Sequence, residues 1–106
     1  MTTQTTNVAD TLAERGARYG KFTGHAEITQ ALKDVMSGWM SFSHESVESN
    51  GLRRSKWHSL SDDKREALEM IAHKIGRILN GDPNYADSWH DIAGYAKLVE
   101  DNLNDR

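Results

Sequence analysis

Apolar residues return every three or four positions in four separate stretches of this chain, the spacing of amphipathic helices. Val8, Leu12 and Ala13 predict a short helix over 8–17, with Asp10 and Glu14 near its start. Ile28, Leu32, Val35, Met36 and Trp39 predict a second over about 25–40, and Thr23 is a suitable N-cap. In the third, Leu68, Ile71, Ala72, Ile75, Ile78 and Leu79 fall within about 120° on a wheel of ~100° per residue. Ser61 is placed to cap that helix, Asp62 and Asp63 meet the positive end of its dipole, and Gly81 ends it. After a turn at Asp82-Pro83, a last helix is expected from near Asp87 to Leu103, with Trp89, Ile92, Ala93, Ala96, Val99 and Leu103 as its core stripe.

What lies between is polar or irregular. Residues 1–7 are expected to be a loose, disordered arm, and 104–106 a frayed tail. Residues 41–60 lose the period and read as a long connecting loop broken near Asn50-Gly51. Loops of that length inside a domain are often functional, and Arg53, Arg54, Lys56, Trp57 and His58 could fold over a ligand; an exposed linker is the alternative, favoured for 41–51. Alternating β-branched runs are missing. The expectation is one all-α domain over 8–103, a compact bundle of about four helices.

Composition sharpens this picture. With 106 residues and 37% hydrophobic content, the core is modest, so burial between subunits would help and an oligomer is expected. Three Trp, three Tyr and two Phe supply anchors for an interface or a pocket, although core packing is the commoner use. A formal net charge of −3 argues against a nucleic-acid groove binder. Small phosphorylated ligands stay open, because a few convergent Arg and Lys side chains suffice. Zero cysteines exclude a thiol nucleophile and a Cys-ligated zinc site. His25, His44, His58 and His90 lack the spacing of a zinc hydrolase. No apolar run reaches the ~20 residues of a membrane span, and the polar start MTTQTTNVAD is unlike a signal peptide, so a cytoplasmic protein is expected.

The last two predicted helices each carry a second, charged side. Glu66, Glu69, His73 and Arg77 lie opposite the apolar stripe of the third, with Lys74 and Asn80 at its flanks; Asp87, Asp91 and Tyr95 lie off the stripe of the fourth. Glu66, Glu69, Asp87 and Asp91 could converge on Mg²⁺, a hard cation that it is natural to share with phosphates. Ordinary readings compete: Asp87 as an N-cap, Glu66 as a solvated residue, and an i, i+4 ladder of Glu69, His73 and Arg77. Asp91, mid-helix between Trp89 and Ile92, is expected to be half-buried and to need a partner. His73, Lys74 and Arg77 would equally serve as phosphate clamps. Upstream, Arg15-Gly-Ala-Arg18-Tyr19-Gly20-Lys21-Phe22-Thr23-Gly24-His25 reads as a tight connection whose amides and cations can approach a phosphate, or as a plain loop between helices.

The run HKIGRILNGDPNYADSWHDIAGYAKLVED, with ERGARYGKF and HAEITQALKDVM upstream, resembles a set of small phage-encoded domains of unassigned function. That set looks related to the all-α nucleoside triphosphate pyrophosphohydrolases of the MazG and dimeric dUTPase type. The resemblance covers roughly Leu12 to Leu98, least in the middle loop. It implies a MazG-like fold and, for an active enzyme, an ExxE pair and an ExxD pair holding Mg²⁺ on consecutive helices. Glu66 and Glu69 match the first pair, and Asp91 fits the acid that heads the Asp-Ile-Ala-Gly-Tyr run. Ser88 stands three residues before it, and Asp87 is displaced by one, so the second pair departs from the pattern. Small helical phage proteins also include sequesterers of host immune nucleotides, an analogy from fold and source.

The leading expectation is therefore a phage-type, non-catalytic nucleotide-binding protein, needing no cofactor, that captures a small phosphorylated ligand between helices or subunits. Its expected contacts are Arg18, Tyr19, Lys21, His73, Lys74, Arg77, Trp89 and Tyr95, with no nucleic acid or membrane partner. The alternative is a Mg²⁺-dependent pyrophosphohydrolase with Glu66, Glu69, Asp87 and Asp91 as ligands, Glu69 and Asp91 carrying catalysis. Both readings expect the charged sides of the last two helices to look into one pocket.

Overall fold

A computed structural model describes residues 7–41 and 52–105. The arm at 1–6, residues 42–51 of the predicted connecting loop with His44 and Asn50-Gly51, and Arg106 lie outside the described residues. The chain is helical: α1 (Val8–Tyr19), α2 (Phe22–Ser37), α3 (Asp62–Asn80) and α4 (Ala86–Asn104). Two three-residue strands, β1 (Trp39–Ser41) and β2 (Leu52–Arg54), pair antiparallel with Trp39 opposite Arg54, and a 3-10 turn at Lys56–Ser59 leads into α3. The ends of the predicted 41–60 loop are thus ordered, in pieces too short to show a period. No described helix is long and apolar enough to cross a membrane.

α3 is the centre, because it buries two opposite faces. Ala67, Ile71, Lys74 and Ile78 recur at helical spacing toward α4, and Ala72 and Gly76 pack against α2. At Gly76 the approach is close: an added Cβ would sit 2.5 Å from Thr29 Oγ1 and 2.7 Å from the His25 ring. α4 returns along the first face with Ser88 buried and Asp91, Ile92, Tyr95 and Val99 half-buried.

That packing corrects the predicted stripes. Leu79 is 67% exposed and Trp89 55%, and Ala93, Ala96 and Leu103 also face solvent. A hydrophobic wheel favours large side chains, whereas a helix pinned between two others buries its small residues, which let backbones approach. Among the described residues, only Ala67, Ala72 and Ile78 are fully buried hydrophobics.

The first two helices meet more tightly than their sequence suggests. α1 runs through Gly16 to Tyr19, and α2 starts at Phe22 behind Lys21, so Thr23 lies inside the helix and caps nothing. Gly20 adopts φ 77°, a conformation glycine takes without strain. Asn80, the last residue of α3, clamps this joint: its Nδ2 donates to the carbonyls of Tyr19 (2.7 Å) and Lys21 (2.8 Å). The Asp82 amide donates to Arg18 O at 2.7 Å. As predicted, α3 ends at Gly81 and Ser61 precedes its first turn, although the Ser61 hydroxyl donates to Asp63 instead of capping an amide.

Candidate functional site

The clamped joint forms the floor of a cavity of about 790 Å³ between α1, α2 and the C-terminal half of α3. Three cations line it, one from each wall: Arg15 from α1, Lys21 from the joint and Arg77 from α3. Among the described residues, no carboxylate lines it and none forms an ion pair with any of the three. Tyr19 and Phe22 bring aromatic surface, and Leu12 an apolar edge. The guanidinium carbons of Arg77 and Arg15 lie 4.6 and 5.4 Å from the Tyr19 ring centre, within cation–π range. Such stacking holds a guanidinium in place while its N–H groups stay available.

Two histidines close the inner wall. His25 and His73 meet edge to face with ring centres 5.8 Å apart, and Phe22 packs on His25 at 6.0 Å. Burial pushes the His25 imidazole below its usual value, and the charges of Arg77 and His73 add to this. Burial likewise lowers His73, helped by Lys33 and Arg77 and opposed by Glu69. Both rings therefore favour the neutral form.

Unpartnered polar atoms concentrate here. Among the described residues, three buried side-chain atoms lack a hydrogen-bond partner: His25 Nε2, Thr29 Oγ1 and Arg77 Nε. Two of them belong to residues lining the cavity, and His25 is only 8% exposed. Leaving a buried polar group unpaired costs about 1–3 kcal/mol, and these atoms are sealed from the cavity as well as from bulk solvent. The first turn of α2 also borders the cavity, its amides uncapped by any side chain, so the positive end of that helix faces the same space.

The structure divides the residues expected to share a site. Tyr19, Lys21, His73 and Arg77 line the cavity. Arg18 sits outside it, paired with Glu14 at 2.8 Å and stacked 5.0 Å from the ring centre of Tyr85. Lys74 turns to α4 and bonds Asp91 at 3.0 Å, giving that acid the partner its half-buried position demanded. Trp89 Nε1 donates to Pro83 O at 2.8 Å, and Tyr95 is half-buried on α4; neither lines the cavity. Arg77 and Asp91 therefore serve different contacts, and the expected shared pocket between the last two helices is replaced by one between the first three.

The four acids proposed as metal ligands are not gathered either. Glu66 is exposed, Asp87 accepts from the Tyr85 hydroxyl at 3.2 Å, and Asp91 is held by Lys74. Among the described residues, no group of three or more His, Asp or Glu side chains is arranged to hold a metal ion. The dispersal follows from α4 using its Asp91 side for packing on α3, which leaves Glu66 and Glu69 on other faces.

The residue list drawn from sequence missed Arg15, Phe22 and His25. Their signal was present, since all three fall in the Gly-bearing segment read as a phosphate approach, and Arg15 and Tyr19 stand one helical turn apart. No family model matches this chain, and neither a curated protein nor a solved structure matches it.

Proposed function

We propose that the protein captures a small phosphorylated aromatic ligand, of the nucleotide class, in the cavity between α1, α2 and α3. One observation carries the reading: three cations and two aromatic rings line one space and, among the described residues, no carboxylate does. A volume of about 790 Å³ suits a ligand of that size. Arg77 and Arg15 meet the phosphate, and Lys21 adds a third positive charge. Tyr19 and Phe22 offer faces for a base.

Capture without turnover is the form of the reading, because the acids that would carry Mg²⁺ lie outside this space. The resemblance to small phage-encoded domains extends it to a role, sequestration of a host signalling nucleotide.

The test incubates the protein with a panel of nucleoside mono-, di- and triphosphates and cyclic dinucleotides, with and without Mg²⁺, isolates the complex and denatures it. Intact ligand, retained by wild type and lost in Arg77→Ala, is the expected result. Recovery of monophosphate and pyrophosphate would replace capture with hydrolysis, and no retained nucleotide would sink both.

A further inference from the structure

One face of α1 looks into the cavity: Leu12, Arg15, Gly16 and Tyr19 recur at i, i+3, i+4 and i+7, and all of them line it. Gly16 is the gap in that row. Leu12 and Tyr19 stand seven residues apart, about 10 Å along the helix axis, and between them the α1 wall presents bare backbone.

Packing does not account for this glycine. Cβ atoms added at Gly20 and Gly24 would run into Asn80, and one at Gly76 into Thr29 and His25, so close neighbours keep those three positions bare. At Gly16, among the described residues, nothing lies within 4 Å of an added Cβ. Nor does the backbone demand it, since Gly16 is helical and the positive φ belongs to Gly20. Apart from proline, glycine is the poorest residue for a helix interior. α1 has 12 residues and buries none of them, so it forms at little margin and the glycine weakens it further. A glycine that faces a cavity without a packing or conformational reason is what the close approach of a ligand to the backbone calls for.

Charge tells which part of the ligand approaches. The guanidinium groups of Arg15 and Arg77 both lie by the Tyr19 ring, and Lys21 follows two residues on, so the cations gather at one end of the gap. Leu12 forms the other, apolar end. We propose that Gly16 seats the ring of the nucleotide, which lies flat against the α1 backbone between Leu12 and Tyr19 with its phosphates toward Arg15, Arg77 and Lys21. Resting on the reading of the cavity as a nucleotide site, this placement makes Gly16 the residue that limits which rings fit.

Wild type is titrated with ATP, GTP, CTP and UTP, and with inorganic triphosphate, which carries the phosphates without a ring. The tightest nucleotide is expected to bind about tenfold better than triphosphate or more. Gly16→Leu fills the gap and should cost that nucleotide about tenfold or more, while triphosphate stays within about twofold. Gly16→Ala should move two readouts in opposite directions, raising the melting temperature of the free protein by about 2–8 °C and weakening the nucleotide several-fold. Gly94 of α4 also has nothing within 4 Å of an added Cβ but lies outside the cavity, so Gly94→Ala should gain stability alone. A Gly16→Ala protein with wild-type affinity overturns the proposal, as does a Gly16→Leu loss equal for both kinds of probe. A wild type that holds triphosphate as tightly as any nucleotide overturns it too, and leaves the phosphate site standing. Wild type that binds none of the probes sinks the nucleotide reading and the seat together. The alanine variant decides the matter if Gly16→Leu fails to fold.

Discussion

Arg77 of α3 stacks on Tyr19 of α1, its guanidinium carbon 4.6 Å from the ring centre, and so ties the third helix to the first across the mouth of the cavity. The contact fixes the cation while leaving its Nε without a protein partner. Arg77→Ala is expected to weaken nucleotide binding by about 1.5–3 kcal/mol, and Arg77→Lys to recover part of it, since an ammonium keeps the charge but loses the fork. Titration calorimetry with the tightest nucleotide of the panel measures both. Equal affinities for all three proteins would remove Arg77 from the site.

Ligand binding should take up protons. His25 and His73 are held below their ordinary value of 6.5, chiefly by burial and then by the surrounding cations, with Glu69 the one opposing carboxylate at His73. A bound phosphate reverses that environment and favours the imidazolium forms. Affinity is expected to rise as pH falls from about 7.5 toward 6, where the phosphate itself begins to protonate. Calorimetry in buffers of different ionisation enthalpy reads the uptake directly; a zero proton count contradicts it.

The free protein should respond in the opposite sense. A histidine with a depressed folded pKa contributes stability above its unfolded value, and that contribution is lost as pH falls through the folded value. Thermal melts are thus expected to be flat above about pH 6.5 and to decline below it, with His73→Gln flattening the decline. An unchanged acid limb in that variant would place the loss elsewhere.

Gly76 is expected to accept no side chain without cost. A Cβ there would lie 2.5 Å from Thr29 Oγ1 and 2.7 Å from His25, both buried, so neither neighbour can move aside freely. Gly76→Ala should lower stability by about 1–3 kcal/mol despite alanine's better helix propensity. A stabilised variant in denaturant titration would show that α2 and α3 are further apart than described.

Asp91→Asn separates the structural from the catalytic reading of that acid. Lys74 is 9% exposed and depends on Asp91 for its ion pair. The Asp91 carboxyl is 43% exposed, so the expected loss of stability is about 1–2 kcal/mol, between the values for surface and buried pairs. Nucleotide retention should be unaffected. Loss of a measured turnover instead would restore the enzyme reading.

The helices themselves were legible in the sequence, because apolar spacing and the Gly81-Asp82-Pro83 break depend only on local chemistry. So was the concentration of glycine and cations between Arg15 and His25, residues that line the cavity. The facing of α3 and α4 was not. A wheel ranks Leu79 and Trp89 above Gly76 and Ser88, yet the small residues are the ones that admit a neighbouring backbone, and a central helix has two such faces to fill. Which cations meet in one cavity depended on the same fact. Lys74 and Arg77 are one turn apart, but Lys74 falls toward α4 and Asp91, while Arg77 falls toward α1 and Tyr19. Sequence alone determined which residues carry charge, aromatic surface and helical period; the tertiary structure decided which of them share a space, because that follows from how closely backbones pack at Gly76, Ser88 and the Asn80 clamp.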